Sequence, residues 1–261
     1  MGILDLFRLD GRSALVTGGG QGIGRGFCLA LAEAGADVAV VDMNEQTAQA
    51  VAKEVEALGR KSVAVKTNVM DREQIDEMMM TVVEKLGKLN IAVNNAGIGR
   101  PGRAESMTLD DWNLTLGVNL TGDFLCCQAE AQQMISQGNG KGKIINIASI
   151  SGITANSVVA YGASKAGVIM MSKRMAAEWG KYGINVNCIS PSWTITPMTD
   201  RVPAETKQRW KELTPMGRVE TPEDMYGALV FLASDASNYV TGHNLIVDGG
   251  HTICVWVDKA P

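Results

Sequence analysis

The sequence predicts an α/β fold: a single domain with a doubly wound, parallel seven-stranded sheet and helices on both faces. Three observations carry this expectation. Short apolar runs alternate with longer helical periodicities along the 261 residues, a pattern that implies parallel strands joined by crossover helices. A glycine-rich turn joins the first run to the first helix, and an aspartate closes the second run. Strands are expected at 13–17, 37–41, 62–66, 90–93, 143–148, 184–189 and 244–247. Helices are expected at 22–34, 44–58, 71–86, 108–137 with a break or bend, 161–181, 203–213 and 222–234. In such a sheet ligands bind beyond the carboxyl ends of the strands, where the strand order reverses.

The first strand runs straight into T-G-G-G-Q-G-I-G, so Gly18, Gly22 and Gly24 make G-x-x-x-G-x-G, with Gln21 and Ile23 between them. Glycines let backbone approach a pyrophosphate, and the helix that follows offers N–H donors and a positive dipole end. Asp42 ends the second strand 24 residues after Gly18, near the spacing at which a carboxylate accepts from both hydroxyls of an adenosine ribose. It would repel a 2′-phosphate, and no Lys or Arg follows it directly; the cofactor expected is NAD rather than NADP. Asp42 is also a candidate cap for the next helix, and it can do both.

Farther along, Tyr161 and Lys165 stand in Y-G-A-S-K, with Ser149 twelve residues before the tyrosine. Four residues make about one helical turn, so phenol and ammonium share a face. A cation there favours the phenolate, which can take a proton from an alcohol oxygen near neutral pH. Ser151 rivals Ser149 for a place beside the substrate.

Taken together, T-G-G-G-Q-G-I-G, N-N-A-G at 94–97, Asn119 within V-N-L, Ser149 and Y-x-x-x-K resemble a classical short-chain dehydrogenase/reductase from Leu9 to about Gly250. The resemblance implies a Rossmann-like fold and hydride transfer between NAD(H) and a secondary alcohol or ketone. It implies that Tyr161 moves the proton, Ser149 orients the substrate oxygen and Lys165 holds the nicotinamide ribose. Asn119 would place a relay water. On the cofactor, Asn68 would accept from the adenine amino group with the Val69 backbone against the ring. Asn94 would meet the adenosine side, Ala96 and Gly97 the ribose. Pro191, the Thr194 backbone and the Thr196 hydroxyl would face the nicotinamide end. Ser192 stands where that family usually has glycine, which puts the backbone there in doubt. A homotetramer is implied as well.

The opening D-L-F-R-L-D-G-R and the closing V-D-G-G-H-T resemble the sugar-alcohol and ketose subgroup, so a polyol is the expected substrate. Ser151, Asn156 and Ser157 are the polar candidates for hydroxyl recognition. Trp193 and Met198 offer apolar walls that also suit a cyclic or steroidal ketone; reduction of a 3-oxoacyl or other hydrophobic ketone is a second reading, against which Asp42 argues. Segment 192–222, with four prolines and two tryptophans, reads as a substrate lid, and the apolar tail 251–261 as buried, against a neighbouring subunit if need be. A protein that senses NAD without turnover is a third reading, disfavoured by the intact Ser149, Tyr161, Lys165 and Asn119.

Composition agrees with an enzyme of small molecules. The net charge of −4 and the lack of a basic cluster argue against nucleic acid, and no apolar stretch is long enough to span a membrane. Five cysteines without a C-x-x-C, and only two histidines, point away from a metal site and toward a reducing compartment, the cytoplasm.

Overall fold

Strand β1 (Ser13–Thr17), buried at every position, occupies the middle of a parallel sheet. The computed structural model describes residues 2–254 apart from Asn139 and Met198. The other strands are β2 (Asp37–Asp42), β3 (Ser62–Lys66), β4 (Ile91–Asn94), β5 (Gly142–Ile147), β6 (Ile184–Pro191) and β7 (Asn244–Val247). They lie side by side as β3-β2-β1-β4-β5-β6-β7, every pairing parallel. The order reverses between β1 and β4, and the cleft described below opens there.

The helices are α1 (Gly22–Glu33), α2 (Glu45–Ala57), α3 (Arg72–Leu86), α4 (Leu109–Leu116), α5 (Asp123–Ser136), α6 (Val159–Trp179), α7 (Ala204–Leu213) and α8 (Tyr226–Ala233). Polar caps start several of them: the Asn44 side chain accepts from Gln46 and Thr47 N–H, and Asp71 from Glu73 and Gln74 N–H. Such caps are typically worth about 1 kcal/mol each. On one sheet face Val16, Val40 and Ile145 pack with α1, α2 and α8 around the buried Phe27, Leu31, Val51 and Leu229. On the other, Leu15, Ala92 and Ile144 pack with α3, α5 and α6 around Ile75, Met78, Cys127 and Met175.

Three boundaries differ from expectation. The helix expected at 108–137 is interrupted by a π-helical turn, Gly117–Gly122, that carries Asn119; such wide turns often mark functional sites. The last helix starts as a 3-10 turn, Pro222–Met225, because Pro222 lacks an N–H and the Thr221–Asp224 capping box closes the tight turn. Strand β6 continues to Pro191, held in register opposite Val247 of β7. The tail was expected to be buried, yet Ile253 is 85% exposed in its own chain; residues 255–261 and the Met198 wall lie outside the described residues.

Candidate active site

The strand ends meet in one line: Thr17 lies opposite Asn94, and Asn94 opposite Asn146. Above them opens a cleft of about 480 Å³. One wall is the glycine turn. Gly18 and Gly22 have φ of +62° and +55°, a region that L side chains rarely adopt, and a Cβ on Gly24 would collide with the Gly18 carbonyl oxygen. Gln21 precedes α1 without a side-chain cap, so the first N–H groups of that helix stay open toward the cleft that Gly22, Ile23 and Gly24 line. That cradle fits a pyrophosphate.

Asp42 lies at the same end. Its Oδ2 accepts from Gly20 N at 2.9 Å and its Oδ1 from Asn44 N at 2.9 Å. Capping of α2 falls to Asn44, so Asp42 remains at the cleft and also tightens the glycine turn. Asn68 and Val69 line the next stretch. The Asn68 Oδ1, expected to meet an adenine amino group, already accepts from Met70 N at 3.1 Å and holds the turn that follows β3.

Asn94 does not reach the cleft. It is the last residue of β4, and side chains alternate between faces. Its Nδ2 therefore points into the core beneath α5, 3.0 Å from both Glu130 Oε2 and Asn146 Oδ1. Asn95 takes the lining position, and its Nδ2 donates to the carbonyls of Thr17 and Gly18 at 3.1 Å. Thr17 Oγ1 in turn accepts from Asn95 N and Ala96 N. Gly97 passes so close that an added Cβ would sit 3.4 Å from Asn119 Oδ1 and 3.6 Å from Lys165 Nζ.

At the other end, Ser149, Ser151, Tyr161 and Lys165 line the cleft together. The Lys165 Nζ lies 5.8 Å from the Tyr161 ring centroid and donates to the Ile147 carbonyl at 2.6 Å, which anchors the buried ammonium under the phenol. Ser149 Oγ accepts from Ser151 N at 3.1 Å, which fixes that oxygen and leaves its O–H to donate. Gly152 brings this turn against α6, where a side chain would strike the Lys165 carbonyl and Ala166 N. Asn119 is fully buried behind the wall. Its amide clamps the Ile98 backbone on both sides, at 2.8 and 2.9 Å, and reaches Ser164 Oγ at 3.2 Å. Ser164 donates to the Tyr161 carbonyl, so Asn119 is tied to the helix turn that carries the phenol. Asn156 is not among the lining residues: its amide nitrogen and oxygen are both buried, and Ser157 lines the cleft instead.

The remaining wall follows β6. Pro191, Ser192, Trp193, Thr194 and Thr196 line it. Ser192 replaces a glycine without strain, since no non-glycine residue among the described ones has a positive φ. Trp193 stacks on Trp210 of α7, ring centroids 5.3 Å apart and 6° from parallel, and meets the His251 ring edge-on at 4.3 Å. Three partners of this wall had no local signal in the sequence. Trp210 and Glu220 come from segments far along the chain, and Thr199 hides in an irregular turn where its hydroxyl bridges the Thr194 and Thr196 carbonyls.

Two buried carboxyls lie on α5, Asp123 within reach of the Lys165 charge and Glu130 against Asn94. Burial pushes Asp123 up to about 8, against the opposing pull of Lys165. Burial likewise pushes Glu130 to about 8; the Asn94 hydrogen bond works against this and the Asp123 charge adds to it. Cys28, Cys126, Cys127 and Cys188 are buried thiols. Among the described residues no cluster of His, Cys, Asp or Glu is placed to hold a metal, and no helix is long and apolar enough to cross a membrane.

The chain is similar to known proteins over nearly its whole length. The family described as enoyl-(acyl carrier protein) reductase matches residues 18–252. D-threitol dehydrogenase of Mycolicibacterium smegmatis is 40% identical over 249 residues, covering 95% of each chain. The 3-oxoacyl-[acyl-carrier-protein] reductase FabG of Thermotoga maritima is 40% identical over 247 residues, covering 94% of this chain and all of its own. Among solved structures, a gluconate 5-dehydrogenase from Burkholderia cenocepacia, in complex with NADP and tartrate, superposes with a TM-score of 0.93 at 38% identity; the match covers 97% of this chain and 100% of that one.

Proposed function

The chain belongs to the classical short-chain dehydrogenase/reductase family, oxidoreductases of alcohols and ketones that use NAD(P), and from that premise we propose that it interconverts a polyol and its ketose with NAD(H). The observation that carries this reading is the placement of Tyr161, Lys165 and Ser149 at one end of a cleft whose other end holds Asp42.

The nicotinamide, when bound, supplies the hydride acceptor or donor. The chain's own groups do the rest. Tyr161 as phenolate takes the proton from the carbinol oxygen in oxidation and returns it in reduction. Lys165 is fixed by the Ile147 carbonyl beside the Tyr161 ring, where it would hold the nicotinamide ribose. Ser149 donates to the substrate oxygen and holds it in line. Asn119 keeps the Ile98 backbone and, through Ser164, the first turn of α6 in place. Gly18, Gln21, Gly22, Ile23 and Gly24 cradle the pyrophosphate, and Asp42 accepts from the ribose hydroxyls. Asn68, Val69, Ala96 and Gly97 border the adenosine and ribose path, and Pro191, Thr194 and Thr196 the nicotinamide end.

NAD is favoured because Asp42 is followed by Met43, so no neighbouring cation would offset repulsion of a 2′-phosphate. The NADP in the gluconate 5-dehydrogenase complex is the reason to test both. Ser151, Ser157 and Trp193 are the substrate-side groups, with the 192–222 segment as lid. The threitol dehydrogenase relative supports a polyol. The FabG relative and the Trp193–Trp210 stack favour a second reading, reduction of a 3-oxoacyl or other hydrophobic ketone.

Assembly as a homotetramer is supported by the half-exposed apolar groove of Phe124, Ile135, Met171, Met175 and Trp179 between α5 and α6; light scattering on the purified chain tests it. A cytoplasmic location rests on the buried thiols, which suit a reducing compartment. The deciding assay follows absorbance of the reduced nicotinamide with NAD and NADP against four-, five- and six-carbon polyols, cyclic alcohols and 3-oxoacyl thioesters. Turnover of a polyol with NAD is expected. Turnover of the thioester alone overturns the polyol reading, and activity with NADP alone overturns the role given to Asp42.

A further inference from the structure

Glu220 has no place in the mechanism above, yet it sits behind the nicotinamide wall with unusual partners. It is only 8% exposed, and its Oε2 accepts from Ser192 N at 2.9 Å and from Thr194 Oγ1 at 2.8 Å. Its backbone joins the same wall, forming a parallel bridge with Thr194 and accepting from Ile195 N at 2.9 Å. The residues it grips, Ser192 and Thr194, flank Trp193, and all three line the cleft. Glu220 also stands where the segment running through α7 rejoins the body of the fold. Arg218 pairs with Asp224 on either side of it, at 2.5 Å, and Thr221 begins the capped 3-10 turn. The second carboxyl oxygen, Oε1, is buried without a partner.

We infer that Glu220 is a positioning residue, a carboxyl latch that holds residues 192–194 against the nicotinamide end of the cofactor and ties that wall to the far end of the 192–222 segment. The inference rests on the cofactor placement proposed above and deepens it. The backbone N–H of Ser192 is held by a side chain that arrives 28 residues later.

The latch is titratable. Burial raises the Glu220 carboxyl to about 7, against its hydrogen bonds from Thr194 and Ser192. The charges facing it are the carboxylates of Asp224 and Asp248, which push it further up, and the Arg218 guanidinium paired to Asp224. Below about pH 7 the latch is therefore a neutral acid, and above it a carboxylate. Burial and the two neighbouring carboxylates cost the ionised form more than its hydrogen bonds from Ser192 and Thr194 return. The latched carboxyl keeps a proton that a solvated one would release, so the wall is held less firmly as pH rises through 7.

The test is cofactor binding by fluorescence titration of the full-length protein at about pH 6 and pH 8, with NADH, NADPH and ADP-ribose as probes, on wild type, Glu220→Gln and Glu220→Ala. ADP-ribose lacks the nicotinamide and reads the adenosine end alone. Wild type is expected to bind the reduced dinucleotide about 5-fold tighter at the lower pH. Glu220→Gln, whose amide oxygen still accepts both bonds, keeps affinity near the wild-type value at the lower pH and loses the pH step. Glu220→Ala weakens dinucleotide binding about 10-fold at both pH values, while ADP-ribose binding stays within 2-fold for every variant. Equal loss for ADP-ribose and dinucleotide would reduce Glu220 to a structural residue. A pH step that persists in Glu220→Gln, or wild-type affinity in Glu220→Ala, also overturns the latch. Should Glu220→Ala not fold, Glu220→Gln carries the decision. Failure of the cofactor reading itself shows separately, as a wild type that binds neither dinucleotide, and removes the basis for the latch.

Discussion

The two ends of the cleft are built differently. The adenosine end comes from short stretches of chain: β1, its glycine turn and the start of α1 are contiguous, and Asp42 arrives one crossover later. The side-chain hydrogen bonds that Asp42, Asn68, Asn95 and Thr17 make there all have a backbone group on the other side. The nicotinamide and substrate end gathers side chains from β5, α6, the loop after β6, α7, Glu220 and His251, up to about a hundred positions apart. Backbone cradles suit a ligand part that is the same in every turnover. Side chains brought from afar suit the part that differs between substrates, since one substitution there changes shape without disturbing the cradle.

Breaking the catalytic end is expected to have the largest effect and to leave the adenosine end alone. Tyr161→Phe should lower kcat by roughly 10²–10⁴-fold, the usual worth of positioned acid–base catalysis, with dinucleotide affinity within about 2-fold. Retained turnover in stopped-time assays would remove the phenol from the mechanism. The opposite break is Gly24→Ala, which drives a methyl into the Gly18 carbonyl and Asn95. It should cost about 1–3 kcal/mol of stability by overpacking and weaken dinucleotide binding on the order of 10-fold, measured by thermal melt and titration. A fully stable variant with normal binding would mean that the turn adjusts.

A smaller change sharpens the contrast within the adenosine end. Asp42→Ser removes a charged acceptor, so NAD affinity should fall about 10-fold while NADP affinity holds or rises. Parallel loss for both cofactors would show that Asp42 acts only through its bond to Gly20 N. The smallest effect concerns the two buried acids on α5. Asp123 and Glu130 have folded-state values near 8, above the roughly 4 of an unfolded chain. The folded state thus keeps protons that the unfolded state releases, and stability should decline as pH rises between about 4 and 8. Melting by circular dichroism should be lower at about pH 8 than at pH 5 by on the order of 5 °C. Asp123→Asn, combined with Glu130→Gln, should flatten that slope. Parallel slopes in wild type and double variant would place the pH dependence elsewhere.

Much of this is legible in the sequence, and the exceptions have physical causes. The placement of Gly18, Gly22, Gly24, Asp42, Ser149, Tyr161 and Lys165 along one cleft is readable because each position depends on neighbours within a turn or a strand end. Asn94 was misplaced by one residue, enough in a strand to turn a side chain from cleft to core, where Glu130 and Asn146 receive it. Asn68 looked free to meet a ligand because its bond to Met70 N is a turn contact that depends on backbone angles. Asn156 lost its place to Ser157 for a related reason: in an irregular loop no period tells which side chain faces in.

By itself the sequence determined the order of strands and helices, the cradle at the first strand end and the tyrosine–lysine face, because strand alternation, helical pitch and glycine freedom act over a few residues. Only the tertiary structure decided that Trp193 would lie on Trp210, that Asn119 would clamp Ile98 and that Glu220 would hold Ser192 and Thr194. Those contacts join segments far apart in the chain, and no local preference encodes them. They exist because packing both sheet faces leaves the segments after β6 and α7 one common place to bury their apolar surface and pair their polar groups.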